Sequence, residues 1–220
     1  MSPWKETLNT RFPKSQLLSD SYEFLCQLKG KSIKKMVRLL SLSKTNAEMF
    51  SHDPKKYAKI ISKSGRTRLQ QLLIDLRIDE NQVFEFGHGP LVLEVTANLS
   101  IAFYASRVVD SVVTWPDDVA NLRSIIEGCS DQCVEIECEQ SPFILSTFGE
   151  LSGSIIQEIG FLKVVKSTSI PLERGLVFKT DRDQEIIIAY GLVKNRPSIF
   201  GVVDKNGLSD EFELRYTKLV

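Results

Sequence analysis

Histidine is scarce in this chain of 220 residues, and the chemistry that depends on it has little support. The only two are His52 and His88, and neither stands at a helical spacing from another metal-binding side chain that would complete a site. No Gly-x-Ser-x-Gly sequence points to a nucleophile with a histidine base. Gly87-His88-Gly89 joins two predicted strands, so it lacks the helix N-terminus that a phosphate loop uses. We therefore predict a non-enzymatic protein that needs no cofactor.

Long apolar runs and zinc-type cysteine spacings are missing as well. No run approaches the roughly 20 apolar residues that cross a bilayer. The first twelve residues are polar and lack the apolar stretch of a secretory signal. These features predict a cytoplasmic protein without membrane contact, whose cysteines are reduced thiols. A Cys133–Cys138 disulfide is the alternative. The four cysteines match no zinc pattern: Cys26, Cys129, Cys133 and Cys138.

Charge is plentiful but unevenly distributed. The chain holds 28 Lys and Arg and 28 Asp and Glu. Residues 1–78 contain sixteen of the basic and six of the acidic side chains, an excess of ten positive charges, and residues 79–220 carry the opposite excess. This split favours a basic surface that docks an acidic partner. The alternative is a pair of solvated faces that attract each other.

An internal repeat is the second positive feature. Residues 28–36 read Leu-x-Gly-x-x-Ile-x-x-Met, and residues 151–159 read Leu-x-Gly-x-x-Ile-x-x-Ile. Two apolar runs follow each copy: Val83–Phe86 and Leu91–Leu93 in the first, Leu176–Phe178 and Ile186–Ile188 in the second. The β-branched residues of 155–165 favour a strand after the turn in both copies. The pattern predicts the same turn, strand and hairpin in each half.

The remaining patterns predict more strands and a few short helices. Asn206-Gly207 is typical of a tight hairpin turn and predicts pairing between residues 198–204 and 210–219. Pro116-Asp117-Asp118 favours a helix start. Its buried stripe is predicted to be Val119, Leu122, Ile125 and Ile126. We predict an α+β fold from an internal duplication, with two similar, mainly antiparallel lobes at residues 1–138 and 139–220, in which strands outnumber short helices.

The two copies differ in length, because the first carries about thirty extra residues. We place this basic insert at about residues 43–72. An insertion that concentrates positive charge is typical of a binding surface, although it could instead shield a sheet edge. With Tyr57 among its cations, it could also bind nucleic-acid phosphates. Its basic side chains are Lys55, Lys56, Lys59, Lys63, Arg66 and Arg68.

Acidic side chains form a second candidate surface, consisting of Asp117, Asp118, Glu135 and Glu137. Such a surface would suit a basic toxin or nuclease as partner. The same acids also suggest a metal-dependent nuclease, although Glu137 stands where that pattern has a lysine. That hypothesis requires Asp117, Glu135 and Glu137 to converge within about 5 Å.

The repeated unit of turn, strand and hairpin resembles bacterial immunity-type proteins, small α+β proteins that neutralise a partner toxin and have relatives in defence operons. The resemblance covers about forty residues in each half and rests on pattern. It implies a non-catalytic binder of another protein, such as a toxin or a subunit of a defence complex, and it carries over no functional residue. A nucleic-acid-binding accessory protein is the first alternative and a metal-dependent nuclease the second.

Overall fold

The structure is a computed structural model that describes residues 18–43, 83–86, 89–106, 111–129, 131–166, 169–195 and 199–220. The helices of this part are α1 (Tyr22–Cys26), α2 (Val83–Phe86), α3 (Val119–Gly128) and α4 (Pro142–Thr147), with short 3₁₀ turns between elements. The strands are β1 (Ile33–Ser43), β2 (Leu91–Val95), β3 (Leu99–Ser106), β4 (Ser111–Pro116), β5 (Asp131–Glu137), β6 (Ile156–Lys166), β7 (Ser169–Thr180), β8 (Glu185–Tyr190), β9 (Phe200–Val203) and β10 (Leu214–Lys218).

The strands form two antiparallel sheets of five. The first has the order β4-β3-β2-β1-β5 and the second has the order β9-β8-β7-β6-β10. In both sheets the four earlier strands form a meander, and the last strand returns to pair with the long first strand. Strands outnumber helices, as predicted, and the architecture is a mainly-β form of α+β.

The two long first strands carry the same irregularity. The register of β1 against β2 shifts between Ile33 and Lys35, and that of β6 against β7 shifts between Ile156 and Glu158. Just after each shift lies a cross-strand ion pair. Lys35 meets Glu94 at 3.5 Å in the first sheet, and Glu158 meets Lys179 at 2.6 Å in the second. Lys35 and Glu158 occupy the same position in the first strand of their sheet, and Glu94 and Lys179 occupy the same position in the second. The positive and the negative side chain are therefore exchanged between the two strands.

The main core lies between the two sheets. Alternate residues of each strand point inward because successive side chains in a strand face opposite ways. Phe103 of the first sheet and Phe178 of the second meet edge-to-face with ring centroids 6.0 Å apart. Each fully buried apolar side chain contributes about 1.5–3 kcal/mol, so this layer is the largest source of stability. Its fully buried members include Ile33, Met36, Leu93, Ile156, Ile159, Leu176 and Ile188.

Both outer faces are covered by parts of the same chain. Helix α3 packs on the first sheet, and its predicted buried stripe of Val119, Leu122, Ile125 and Ile126 is confirmed. Asp118 caps this helix by accepting the backbone N–H of Asn121 at 2.8 Å. The second sheet is covered by the loops around β9, with Leu192, Val193 and Phe212 packed on Val177 and Ile187.

The first predicted hairpin is wrong. Val83–Phe86 is helix α2 rather than a strand, and β2 pairs with β1 and β3 instead. The strand that occupies the place of β7 is therefore Leu91–Val95, and the place of β8 is taken by β3. A run of four residues, three of them apolar, has no decisive periodicity. The helical conformation of α2 is set by the buried Arg38, which donates to the carbonyls of Phe84 and Glu85.

The last predicted hairpin is also wrong. Residues 205–207 form a 3₁₀ turn, in which the Asp204 side chain accepts the N–H of Gly207 at 2.9 Å. Strands β9 and β10 do not pair with each other and lie at opposite edges of the second sheet. The local preference of Asn-Gly for a tight turn is satisfied without a hairpin, because β10 pairs with β6 instead.

None of the helices in the described ranges is long and apolar enough to span a membrane. The predicted basic insert at 43–72 lies outside the described residues, apart from its first position. Both histidines also lie outside them.

Candidate functional site

The two sheets meet at a pair of glycine turns that hydrogen-bond to each other. Gly30 and Gly153 have positive φ angles of 76° and 81°, which favour glycine. Four backbone hydrogen bonds join the turns in two equivalent pairs. They run from Gly30 N–H to Ile156 O (2.7 Å) and from Gly153 N–H to Ile33 O (2.8 Å), and from Ile33 N–H to Ser154 O (2.8 Å) and from Ile156 N–H to Lys31 O (3.0 Å). Residue 30 thus matches residue 153, and residues 31–33 match residues 154–156 in the same order.

A second segment is also matched between the halves. The β2–β3 turn binds the first glycine turn through Thr96, which donates its N–H to Ser32 O and accepts the Ser32 N–H on its hydroxyl. The β7–β8 turn does the same through Asp181 and Ile155, at 2.9 and 2.7 Å. The matched residues of these two turns are Thr96 with Asp181, Ala97 with Arg182, Asn98 with Asp183, and Leu99 with Gln184.

In the second half, the space beside these turns is filled by side chains. Arg182 Nη1 donates to the carbonyls of Glu150 and Ser152 at 3.1 and 3.2 Å. Gln184 Nε2 donates to the carbonyls of Phe148 and Glu150 at 2.7 and 3.1 Å. These carbonyls follow helix α4, whose last acceptors have no partner within the helix. Arg182 and Gln184 therefore satisfy the backbone between α4 and β6.

In the first half, the same space is an open cavity of about 470 Å³. Ala97 and Leu99 stand where the second half has Arg182 and Gln184, and neither side chain can donate a hydrogen bond. The carbonyls of Gln27 and Lys29, which match those of Glu150 and Ser152, receive no hydrogen bond from a residue in the described ranges. We call this space the lysine cavity. Its lining residues are Cys26, Gln27, Lys29, Lys31, Ala97 and Leu99.

The lysine cavity is electropositive. Lys29 and Lys31 replace the matched serines Ser152 and Ser154, and neither ammonium forms an ion pair with a described carboxylate. Lys34 lies nearby, and its Nζ donates to Asn98 Oδ1 at 3.2 Å. Asn98 and Ala97 both have positive φ, at 54° and 66°. For alanine this conformation is uncommon, and such outliers cluster at functional sites.

A buried arginine is the other unusual group. Arg38 is fully buried on the inner face of β1, and burial lowers its pKa to about 9. Its three donors reach the carbonyls of Phe84, Glu85 and Gly89 at 2.8, 2.9 and 2.9 Å. Its guanidinium also lies 4.8 Å from the centre of the Phe200 ring. These contacts hold α2 and Gly89 against the sheet, so we assign Arg38 a structural role.

Glu85 completes this buried group. Its side chain is inaccessible, its Oε1 accepts the Ser141 hydroxyl, and burial raises the pKa of its carboxyl. Ser141 also caps α4 by accepting the Ile144 N–H at 3.3 Å. The carboxyl therefore joins α2 to the start of the second half and has no access to solvent.

The predicted acidic surface is not one patch. Asp117 accepts the Trp115 indole N–H at 3.0 Å, and Asp118 caps α3, so both acids shape the start of that helix. On β5, Glu135 pairs with Arg123 at 3.0 Å and Glu137 forms a capping box with Gln140. These two pairs of acids therefore have local structural partners.

The four acids also lie at opposite edges of the first sheet. A row of paired residues runs from Glu137 through Val37, Val92 and Ala102 to Trp115, which is two residues before Asp117. Four strand spacings make this about 19 Å. Asp117, Glu135 and Glu137 thus do not converge as the nuclease hypothesis requires. Within the described ranges, no group of three or more His, Cys, Asp or Glu side chains could hold a metal ion.

The cysteines add no further site among the described residues. All four cysteines are free, and burial raises the pKa of Cys133 to about 12, so its thiol is a protonated core group. The six predicted cations of the basic insert, Lys55, Lys56, Lys59, Lys63, Arg66 and Arg68, lie outside the described residues.

Comparisons with known proteins add no family. No protein-family model matches the chain, no curated protein matches it, and no solved structure matches it. What can be inferred about function therefore comes from the chain's own residues.

The lysine cavity was missed by the sequence analysis. The apolar run that corresponds to Leu176–Phe178 is in β2 and not at Val83–Phe86, and only this correspondence places Ala97 opposite Arg182. The signal was present, because Leu91–Val95 followed by a polar turn and Leu99 matches Leu176–Thr180 followed by a polar turn and Gln184.

Proposed function

We propose that this chain is a non-catalytic protein-binding protein, of the immunity or defence-accessory kind, that acts in the cytoplasm. Its two halves derive from one duplicated unit, and the first half has acquired the binding surface. The partner is another protein, such as a toxin or a subunit of a defence complex, that presents an acidic surface.

The observation that carries this proposal is the lysine cavity. It lies in the half with the excess of positive charge, and it opens where the second half is closed by Arg182 and Gln184. Lys29 and Lys31 line it, Lys34 binds the neighbouring Asn98, and none of the three has a described carboxylate partner. Unpaired charges at the rim of a concave site attract and orient an oppositely charged partner.

Charge reversal tests this proposal. The tagged chain is first used to isolate and identify a partner from its natural host, and both proteins are then purified. We expect Lys29→Glu/Lys31→Glu to weaken binding about tenfold or more in calorimetry at low salt, which corresponds to about 1.4 kcal/mol. The matched control is Lys194→Glu/Lys205→Glu, which makes the same change in net charge on two turns of the second half, where each lysine already faces an acid.

Equal binding by the two double variants would show that the lysine cavity is not part of the interface with the partner. Reversal of Lys55, Lys56 and Lys59 in the basic insert is then the next test, because those cations belong to the same positive half.

Nucleic-acid binding is the second candidate, and the same unpaired lysines favour it. It predicts affinity for DNA or RNA that falls steeply as salt rises from about 50 to 200 mM, because phosphate contacts release counterions. A gel shift with both nucleic acids measures this directly. The absence of any shift at low salt eliminates this candidate.

A further inference from the structure

We infer that the free edge of β10 (Leu214–Lys218) binds an extended acidic segment of the partner protein, which adds to the second sheet as a further antiparallel strand. This inference rests on the proposed function, since it takes the partner to be an acidic protein. It adds a second contact surface, formed by residues other than those of the lysine cavity.

Some backbone groups of β10 are directed away from the sheet. The carbonyl of Glu213 accepts the Val165 N–H at 2.9 Å, and at the other end of the strand the Leu219 N–H donates to β6 at 2.8 Å. Successive residues of an antiparallel strand direct their N–H and C=O groups to opposite sides, so the odd-numbered residues bond to β6. No described strand lies beyond β10. The residues whose backbone groups point to this free edge are Leu214, Tyr216 and Lys218.

The β10 edge is also exposed to solvent. Four consecutive side chains, from Arg215 to Lys218, are exposed, whereas the edge strands β4 and β9 are mostly buried. An exposed edge is a template on which an added strand forms main-chain hydrogen bonds. The remaining edge strand, β5, carries Glu135 and Glu137, which would repel an acidic segment.

Tyr216 is held in one position at the centre of the strand. Its hydroxyl donates to Glu158 Oε1 at 2.6 Å, and Lys179 Nζ lies 4.7 Å from the centre of its ring. Gly160 leaves room for the ring, since a Cβ atom at that residue would lie 2.3 Å from it. Tyr216 is nevertheless 38% exposed. A fixed and exposed aromatic side chain favours a β-branched residue opposite it on an added strand.

The charge of the strand selects an acidic segment. Arg215 has no ion pair with a carboxylate in the described ranges. Lys163, which lies opposite it on β6, already pairs with Glu173 at 2.9 Å. An acid on the added strand would supply the partner that Arg215 lacks. A second copy of this chain would instead bring the same basic strand against β10, and like charges on adjacent strands destabilise their pairing.

The first experiment uses short peptides as probes of the full chain. The peptide Thr-Glu-Val-Glu-Thr, acetylated at the N-terminus and methylamidated at the C-terminus, places valine opposite Tyr216 and a glutamate opposite Arg215. Backbone amide shifts of Leu214, Tyr216 and Lys218 in NMR spectra report its binding. We expect Thr-Lys-Val-Lys-Thr to bind about tenfold more weakly, because its lysines meet Arg215.

N-methylated forms of the glutamate peptide separate strand addition from simple charge attraction. Opposite Tyr216, the valine N–H points to β10, whereas the N–H groups of the two glutamates point away from it. We expect N-methylation of valine to weaken binding about tenfold or more, because it removes a hydrogen bond and places a methyl group against the edge. N-methylation of the second glutamate is the matched control and should change binding about twofold or less.

Arg215→Glu tests the charge on the protein. Its matched control is Lys194→Glu, which makes the same change in net charge on a turn of the second half. We expect Arg215→Glu to weaken binding of Thr-Glu-Val-Glu-Thr about fivefold or more, and Lys194→Glu to weaken it about twofold or less. If Arg215→Glu fails to fold, Arg215→Ala replaces it and should weaken binding about threefold.

Several outcomes overturn the inference. They are no shift with the glutamate peptide at millimolar concentration, equal binding by the two N-methylated forms, and equal binding by Arg215→Glu and Lys194→Glu. Slow hydrogen exchange of the Tyr216 and Lys218 amides in the free chain would also overturn it, because the edge would then already be covered by this chain or by a second copy.

The purified partner separates failure of this inference from failure of the proposed function. A partner that Lys29→Glu/Lys31→Glu weakens and Arg215→Glu does not would support the proposed function and overturn the β10 site. A partner that Arg215→Glu weakens and Lys29→Glu/Lys31→Glu does not would support the β10 site and show that the lysine cavity is not used.

Discussion

The two halves of this molecule have the same strand order and the same contacts at their glycine turns, but they differ in what surrounds that common backbone. In the second half, Arg182 and Gln184 close the space after α4, whereas Ala97 and Leu99 leave the matched space open. Between β6 and β7 lie only residues 167–168, whereas residues 44–90 separate β1 from β2. The first half therefore carries the longer connection, and the second half is the shorter of the two.

The inner faces differ as well. Arg38 and Phe161 both lie five residues after the isoleucine that begins their strand, and both point into the space between the sheets. Phenylalanine packs there as an ordinary core residue. Arginine is tolerated because the carbonyls of Phe84, Glu85 and Gly89 accept its donors. The first half thus uses a buried cation to hold the end of its long connection, and the second half has no such connection to hold.

The largest expected effect comes from removing that buried cation. Arg38→Phe gives the first sheet the residue of the second, and we expect the free energy of unfolding to fall by about 3–5 kcal/mol. The loss arises because Glu85 stays buried without its cation and three carbonyls lose their donors. Chemical denaturation measures it. Phe161→Leu is the matched control, with an expected cost of about 1.5 kcal/mol or less, and equal losses in the two variants would contradict the structural role of Arg38.

A smaller effect is expected from opening the second half. Arg182→Ala/Gln184→Leu gives it the side chains of the first half, and we expect a loss of about 2 kcal/mol in the free energy of unfolding. Each net hydrogen bond contributes about 0.5–1.5 kcal/mol, and these donors are partly exposed to water. The denaturation midpoint at constant slope measures the loss.

The control for this variant is Lys194→Ala, which removes only an exposed ion pair with Asp210 and should cost less than about 0.5 kcal/mol. A double variant as stable as this control would mean that the two side chains do not support the α4–β6 turn. The open lysine cavity of the first half would then imply no difference in the free energy of unfolding from a filled one.

The smallest effect concerns the exchanged ion pairs. Hydrogen bonds from Lys179, Lys218 and Tyr216 lower the pKa of Glu158 to about 2. A lowered carboxyl pKa stabilises the folded state above the unfolded value of about 4.3, and this contribution is lost as the pH falls toward about 2. We expect Glu158→Gln to cost about 1 kcal/mol or less at neutral pH, and we expect this cost to disappear as the pH falls through about 2.

The comparison at the matched pair is Glu94→Gln, which removes the single contact of Glu94 with Lys35. Its cost should be smaller at neutral pH, since one lysine replaces three partners. Thermal unfolding over this pH range measures both variants. A pH-independent cost for Glu158→Gln would show that the carboxylate contributes through packing and not through its charge.

Several elements could be predicted because their information is local. The strands after Gly30 and Gly153 follow from β-branched residues, and α3 follows from its acidic start and its apolar stripe. Val83–Phe86 could not be assigned in this way, because three apolar residues around Glu85 fit a strand or a helix equally well. The contacts that decide it come from Arg38, which is distant in sequence.

The candidate site was beyond local reasoning for the same reason. The six side chains lining the lysine cavity belong to residues 26–31 and 97–99, which only the pairing of β1 with β2 brings together. The acidic pairs show the converse. Asp117 and Glu137 lie near each other in the sequence, but in the structure the width of the first sheet separates them.

By itself, the sequence determined the two glycine turns, the strands that follow them, the helix α3 and the uneven charge, because each depends on residues within a few positions of one another. Only the tertiary structure decided which strands lie at the edges, that Arg38 is buried, and that one half is open where the other is filled. These features depend on side chains meeting across strands, and a chain specifies such meetings through the free energy of the whole packed fold rather than through any single segment.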